Sequence, residues 1–129
     1  MIKSVFIIIL LYFLPASGQK IYFKNYYENG NMKSEGWLYE NQKVDYWFYY
    51  YENGTKKEEG HFEDNKKIKW WIFYDIKESI QKKTEFKNNV QEGLCIIYKN
   101  GSIIKAEQYT NGVKSKEWNS LLKYKRDNP

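Results

Sequence analysis

The motif YYENG stands at residues 26–30 and returns at residues 50–54, one repeat further along the chain. The same spacing continues downstream, since Gly36 is followed by Gly60 and Asn41 by Asn65. A period of about 20 to 50 residues is typical of proteins that stack one small structural unit. The chain therefore predicts a repeat architecture, with one unit in each copy of the motif.

Further positions repeat in residue type along the chain. Three sets follow the spacing of the YYENG motifs: Trp47, Trp71 and Cys95; Leu38, Phe62 and Phe86; and Tyr26, Tyr50, Tyr74 and Tyr98. The units so defined lie near residues 26–49, 50–73, 74–97 and 98–118. The third is the least regular, because Asp-Ile-Lys-Glu at residues 75–78 replaces the tyrosine and the turn, and the fourth fits after two single deletions. Residues 20–25 read as the last strand of a truncated preceding unit.

Each unit predicts two β-strands joined by a tight turn. The first strand, DYWFYYY at residues 45–51, is rich in the aromatic residues that favour strands, and the second, at residues 56–63, alternates charged with apolar residues. The Asn-Gly pair between them is the strongest short hairpin signal, and both of its residues are expected to adopt positive φ. We therefore expect an all-β protein, an antiparallel meander of repeated β-hairpins in a single layer.

Alternation along the first strand of each unit assigns two faces. Tyr46, Phe48 and Tyr50 share one face, which stays apolar in every unit and is predicted to be the core side. The opposite face is aromatic in the early units and is predicted to be an exposed patch that binds a partner. The candidate binding residues are Trp37, Trp47, Tyr49, Tyr51, Trp71 and Phe73.

The segment at residues 1–18, MIKSVFIIILLYFLPASG, has the layout of a secretory signal peptide. Lys3 precedes an apolar run that ends at Pro15, and the small residues Ala16-Ser17-Gly18 follow. We expect cleavage after Gly18, a secreted or periplasmic protein and no membrane span after cleavage. An uncleaved anchor and a buried strand are the alternatives, although the apolar run is much shorter than the roughly 20 residues of a spanning helix.

The remainder of the chain divides into a repeat sheet at residues 19–114 and a C-terminal cap or tail at residues 115–129. In this tail Ser115 is suited to cap a short helix, with Trp118, Leu121 and Leu122 on one side. Such a helix is expected to cover the open end of the sheet, because terminal repeats need caps.

Composition excludes several classes of function. The net charge is +5, but charges of both signs are mixed along the chain, so a nucleic-acid-binding arm is not expected. A single cysteine and a single histidine exclude a disulfide framework and almost every Cys/His metal site. Cys95 lies in an apolar run and is predicted to be buried. His61 lacks a recognisable catalytic partner, so neither enzymatic activity nor a cofactor is expected.

The repeat resembles the bacterial MORN-repeat variant family. The likeness rests on YYENG-x-x-K-x-E-G at residues 26–36 and 50–60, each followed by an apolar or aromatic pair, and it covers about residues 22–118. It implies a β-hairpin array that acts as a scaffold, without catalytic residues, and some relatives are antitoxins of toxin–antitoxin pairs. The family's glycine before the aromatic strand is present once, at Gly93, and is replaced by Asp45 and Lys69 elsewhere.

These observations predict a non-enzymatic scaffold that binds another protein at the cell envelope or outside the cell. A polysaccharide-binding module is the first alternative, because the hairpins are also loosely similar to choline- and glucan-binding repeats and exposed rings stack on sugars. An antitoxin-like partner of a toxin is the second. A homodimer through the aromatic face is a further expectation.

Overall fold

The computed structural model describes residues 18–129, so the predicted signal peptide lies outside the described residues except for Gly18. Over this range the chain forms nine strands and one short helix. The elements are β1 Ile21–Tyr26, β2 Met32–Tyr39, β3 Gln42–Tyr50, β4 Lys56–Glu63, β5 Lys66–Tyr74, β6 Ile80–Lys87, β7 Val90–Lys99, β8 Ser102–Thr110, β9 Val113–Trp118 and α1 Leu121–Asp127. Consecutive strands pair antiparallel in the order β1 to β9, which confirms the predicted all-β, open, antiparallel meander.

The YYENG turns have a different geometry from the one predicted. In the first, the N–H of Tyr27 donates to the carbonyl of Asn31 at 2.8 Å, and Gly30 adopts a φ of 88°. Asn29 does not adopt positive φ, so the expectation of two such residues is wrong. The loop is a type I turn closed by a left-handed glycine. Asn29 contributes through its side chain, whose oxygen accepts the N–H of Asn31 at 2.9 Å.

The irregular third unit keeps this turn. The N–H of Asp75 donates to the carbonyl of Ser79 at 2.9 Å, as Tyr27 does to Asn31 in the first copy. Glu78 takes the place of the glycine with a φ of 68°. The Asp75 carboxylate accepts the N–H groups of Lys77 and Ser79, which replaces the asparagine side chain. Loop geometry therefore persists where the sequence motif has been lost.

The intervening hairpins carry the tighter turns with positive φ at both central residues, such as Asp64 at 48° and Asn65 at 66°. Their repeated asparagine also joins neighbouring units. The side chain of Asn65 accepts the N–H of Lys43 at 2.7 Å, and Asn89 accepts the N–H of Lys67 at 3.0 Å. The regular spacing of these asparagines thus follows from one hydrogen bond that recurs in successive units.

A β-bulge explains the position that the family pattern reserves for glycine. Asp45, Lys69 and Gly93 occupy the same position in successive units and have φ values of 57°, 59° and 105°. The register slips there, since Gly36 pairs with Trp47 while the next residue pairs back at position 44. Left-handed backbone is free of steric cost only for glycine, whereas aspartate tolerates it better than lysine does. The bulge is therefore conformationally strained at Lys69.

Replacing Lys69 with glycine is expected to stabilise the fold by about 0.5–1 kcal/mol, the relief of the left-handed strain less the greater entropy of an unfolded glycine. Equilibrium urea unfolding measures this change. Asp45→Gly is the matched control and should gain less, because Asp45 also forms an ion pair with Lys20 at 2.6 Å. A gain in Lys69→Gly no larger than that in Asp45→Gly, or a loss of stability in Lys69→Gly, would contradict the strained bulge.

The core lies on the face that alternation predicts to be exposed. Trp47 is 1% exposed, Trp71 is 0% exposed, and both pack with Phe62. Each indole lies over a glycine of the preceding strand, because Gly36 pairs with Trp47 and Gly60 with Trp71. The predicted assignment of the two faces is therefore wrong. We call the side of Trp47 and Trp71 the Trp face, and the opposite side, with Tyr46 and Phe48, the Tyr face.

Two lysines complete the cover of the Trp face. The ammonium of Lys43 lies 5.2 Å from the ring centre of Trp47 and donates to the hydroxyl of Tyr49 at 2.8 Å. The ammonium of Lys67 lies 4.4 Å from the Trp71 ring and 3.7 Å from the carboxylate of Glu58. Long lysine side chains can cover apolar surface while their charged ends stay near water. A second layer is thus not needed to bury the two indoles.

The C-terminal helix begins later than predicted. Residues up to Trp118 extend the sheet as β9, and Ser120 rather than Ser115 caps α1. The indole N–H of Trp118 donates to the Asp127 carboxylate at 3.0 Å, and its ring meets that of Tyr124 edge-on. The helix lies against β8 and β9, where it covers the last part of the Tyr face. Within the described residues no helix is long and apolar enough to cross a bilayer.

Candidate functional site

The six predicted binding residues do not form one exposed patch. Trp47 and Trp71 are buried, and Tyr49 and Phe73 are half-buried against the same core. The hydroxyl of Tyr51 donates to a backbone carbonyl of the next unit at 2.7 Å. These five residues therefore hold the sheet together.

Trp37, the sixth predicted residue, is 40% exposed and lies on the opposite, Tyr face. It belongs to a row of rings that crosses the first five strands. We call this set the aromatic row. Its members are Tyr22 on β1, Trp37 on β2, Tyr46 on β3, His61 on β4 and Trp70 on β5.

The row arises from two positions of the repeat. Tyr22, Tyr46 and Trp70 share one repeat position on the odd strands, and Trp37 and His61 share another on the even strands. Register brings them together in pairs: Tyr22 faces Trp37, and Tyr46 faces His61. The paired rings meet edge-on, with centres 5.1 Å and 4.9 Å apart. Such edge-on contacts hold rings in a defined orientation.

Exposure distinguishes the row from the core. Tyr22 is 39% exposed and Trp70 is 39% exposed, close to the value for Trp37, while Tyr46 and His61 are half-buried. No lysine is seen above any ring of the row within residues 18–129, in contrast to the Trp face. Large rings left open on one face of neighbouring strands are the usual mark of an interaction surface.

The row stops where the repeat changes. Glu85 takes the next even-strand position, and its carboxylate accepts the N–H of Leu94 at 2.7 Å, so it is turned toward the backbone. Leu94 takes the next odd-strand position and lines a small apolar cavity of about 110 Å³ with Leu121 and Tyr124 of the helix. The Tyr face is therefore open over β1 to β5 and covered near the C-terminus.

Tyrosine–glutamate hydrogen bonds support the row from the middle of the same face. The Glu35 carboxylate accepts the hydroxyls of Tyr22 at 2.5 Å and Tyr50 at 2.8 Å. One unit later, Glu59 accepts the hydroxyl of Tyr74 and lies 3.4 Å from the ammonium of Lys56. Glu59 is 7% exposed, so these partners compensate a carboxylate that is largely removed from water. The network holds the hydroxyls of Tyr22, Tyr50 and Tyr74 in place on this face.

These contacts predict loss of stability at alkaline pH. Burial, together with the nearby carboxylates, raises the pKa of Tyr22 and Tyr46 from 10.0 to about 12, and burial raises that of Tyr49 to about 12. The folded state thus holds these phenol protons more tightly than the unfolded chain. The stabilisation that these phenol protons provide should be fully present below pH 10 and should be lost as the pH rises from 10 toward 12.

Thermal unfolding followed across this range, beside the ultraviolet absorbance of tyrosinate, measures the effect. Glu35→Gln removes the carboxylate that acts on Tyr22 and should move part of the tyrosinate titration to lower pH. Glu28→Gln, an exposed turn residue, is the matched control and should leave the titration unchanged. A folded wild-type chain in which every tyrosine ionises near pH 10, or a titration that Glu35→Gln leaves unchanged, would contradict the network.

The surroundings of the His61 ring favour its neutral form. Burial lowers the pKa of His61, the nearby charge of Lys69 lowers it further, and Asp45 acts in the opposite direction. The ring is therefore neutral at neutral pH and serves in the row as an aromatic surface with polar edges. A shallow cleft of about 360 Å³ lies beside it at the strand ends, lined by Val44 and Ile68 among others.

The remaining candidate groups of the described residues are possible metal ligands and the single cysteine. Within residues 18–129 no three His, Cys, Asp or Glu side chains are grouped closely enough to hold a metal ion. Cys95 is buried as predicted and accepts a hydrogen bond from the Thr84 hydroxyl at 3.0 Å, and burial raises the pKa of its thiol.

Comparison of the chain with protein-family models, curated proteins and solved structures finds no match.

Sequence reasoning misses four members of the row. The predicted set omits Tyr22 and His61, and alternation places Tyr46 and Trp70 on the face expected to be the core. The signal that finds them is the glycine opposite each core tryptophan. A repeated glycine indicates where the large ring lies flat on the partner strand, and so which face closes on itself.

Proposed function

We propose that the protein is a non-enzymatic scaffold that binds a partner protein through the aromatic row, at the cell envelope or outside the cell. The observation that carries this proposal is the exposure of the aromatic row. Lys43 and Lys67 cover the Trp face and Lys56 covers part of the Tyr face, whereas Trp37 and Trp70 stay open. Tryptophan and tyrosine on an open, rigid surface are the side chains that most often dominate protein-binding energy.

The charges around the aromatic row indicate the charge that a partner surface should carry. The chain has a net charge of +5, and Lys24 and Lys69 lie close to the row. The carboxylates of Glu35 and Glu59 accept hydrogen bonds from tyrosine hydroxyls, and that of Glu85, opposite Trp70, accepts the N–H of Leu94. Complementary charge steers association and selects the partner. We therefore expect a partner surface that is apolar at its centre and acidic at its rim.

A polysaccharide is the second candidate, and the linear arrangement of the row favours it. The rings follow one another across adjacent strands, which lie about 4.8 Å apart in a sheet. A straight series of rings can stack successive sugar units of an extended chain. The edge-on packing of Tyr22 on Trp37 and of Tyr46 on His61 turns some ring faces away from solvent, so the protein partner remains the leading proposal.

The location and the family likeness remain proposals. The sequence features of residues 1–18 support export, and the MORN-variant resemblance supports a scaffold; the antitoxin-like alternative rests on that resemblance alone. The full-length chain is expressed, and the processed protein is purified from the expressing cells. Mass spectrometry of this protein reports whether its N-terminus is Gln19. An intact Met1 on the secreted or periplasmic protein would overturn the predicted cleavage.

Binding to envelope extract tests the proposed function. The purified chain is immobilised and exposed to extract, half of which has been treated with protease. A protein partner predicts one retained species that disappears after protease treatment and withstands competition by soluble glycans. Retention that survives protease and is released by soluble glycan would overturn the protein partner in favour of a polysaccharide.

A further inference from the structure

The two edges of the sheet are built differently. Every residue of β1, IYFKNY, is exposed, and within residues 18–129 no strand pairs with its outer side. The opposite edge, β9, carries Lys114, Lys116 and Glu117 and is interrupted by a bulge at Ser115. Charges and bulges on an edge strand prevent pairing with another chain. The β9 edge is thus protected against association by three charges and a bulge, whereas β1 carries one charge, Lys24, and no inserted residue.

We propose that β1 pairs antiparallel with β1 of a second copy, about a two-fold axis that passes beside Phe23. The proposal is independent of what binds the aromatic row. Antiparallel pairing about such an axis keeps the faces of both sheets aligned, so a residue can pair only with one on its own face. Phe23 then meets Phe23 of the second copy on the Trp face, beside Trp47.

Charge selects this register among the three that the strand length favours. With Phe23 at the axis, Lys24 faces Tyr22 of the second copy, where an ammonium and an aromatic ring attract each other. Centring the pair on Tyr22 would place Lys20 opposite Lys24, and centring it on Lys24 would place that lysine opposite itself. Like charges directly opposite each other destabilise a strand pair. The Phe23 register is the one that avoids both repulsions.

The pairing would extend the binding surface. The two Tyr faces would lie on one side of a continuous sheet, and the two aromatic rows would meet at the axis through Tyr22. A single short strand pair is small beside interfaces that bury about 1,200–2,000 Å². We therefore expect dimers that dissociate on dilution.

Charge substitutions at the axis test the proposal by sedimentation velocity over a concentration series. Phe23→Lys and Phe23→Glu each place like charges opposite themselves, and each should weaken dimerisation by roughly tenfold or more. An equimolar mixture of the two variants should dimerise again, because lysine then faces glutamate. Val113→Lys and Val113→Glu, at the 69% exposed start of β9, are the matched controls and should dimerise as the wild type does.

A cysteine variant tests the register without depending on charge. Phe23→Cys should form an intermolecular disulfide under air oxidation, because directly opposed residues lie about 4.5–5.5 Å apart, within disulfide reach. Val113→Cys should not, and circular dichroism confirms that each variant is folded. A wild-type chain that is monomeric at every concentration, variants that dimerise like the wild type, or equal cross-linking at position 113 would each overturn the proposal.

Discussion

Replacing Gly60 with threonine should lower the free energy of unfolding by about 3 kcal/mol, near the upper end for overpacked cores. A Cβ at this position would overlap the indole of Trp71, which is 0% exposed and has no free space to move into. The indole is also anchored, since its N–H donates to the carbonyl of His61 at 3.0 Å. Gln81→Thr, at an exposed strand position, is the control and should change stability by less than about 0.5 kcal/mol.

The third unit supplies the compensating change. There Thr84 stands in the place of Gly60, and Cys95 in the place of Trp71, and the two are paired and buried. Trp71→Cys alone should cost about 3–5 kcal/mol, because it leaves a cavity. The double variant, Gly60→Thr with Trp71→Cys, should cost less than the sum of the singles by about 0.5–3 kcal/mol. Urea unfolding followed by circular dichroism measures the cycle, and strict additivity would contradict tryptophan-over-glycine packing.

Truncating both open tryptophans, Trp37→Ala with Trp70→Ala, should weaken binding of the retained partner by about a hundredfold or more, since central aromatic residues often contribute about 2 kcal/mol each. Stability should change little, because the Trp37 carbonyl that accepts the Trp47 indole N–H at 2.9 Å belongs to the backbone and remains. The measurement is the dissociation constant of the partner for the wild-type and variant chains.

Ile104→Ala is the matched control for this double variant. Ile104 is 43% exposed on β8, outside the aromatic row, and its loss should leave the affinity unchanged. An affinity that survives the loss of both tryptophans would exclude the aromatic row as the binding surface. Equal weakening by Ile104→Ala would show that the partner contacts a broader area than the row.

The hairpin array follows from the sequence because its signals are local. The regular repeat spacing, the aromatic strands and the turn residues all predict the meander that the structure shows. Turn type is harder to predict, since Asn-Gly occurs both in the longer YYENG loops and in the tighter turn at Asn100 and Gly101. A deletion in the fourth unit distinguishes them, because it shortens the loop.

The faces cannot be assigned by alternation alone. In a single layer both faces of an aromatic strand carry large rings, so periodicity does not tell which face is covered. Residues opposite the two tryptophans determine which face is covered. Gly36 and Gly60 leave room for an indole, and Lys43 and Lys67 cover it. The start of the C-terminal helix is mispredicted for a similar reason, since pairing with β8 makes residues 113–118 a strand.

Tryptophan-selective chemical modification, read by peptide mass spectrometry, tests most directly that the Trp face closes on itself and leaves the aromatic row open. Trp37 and Trp70 should react first, and fragment spectra separate Trp70 from its neighbour. Trp47, Trp71 and Trp118, all at most 8% exposed, should react only as the protein unfolds. Modification of Trp47 or Trp71 as fast as that of Trp37 would contradict the account.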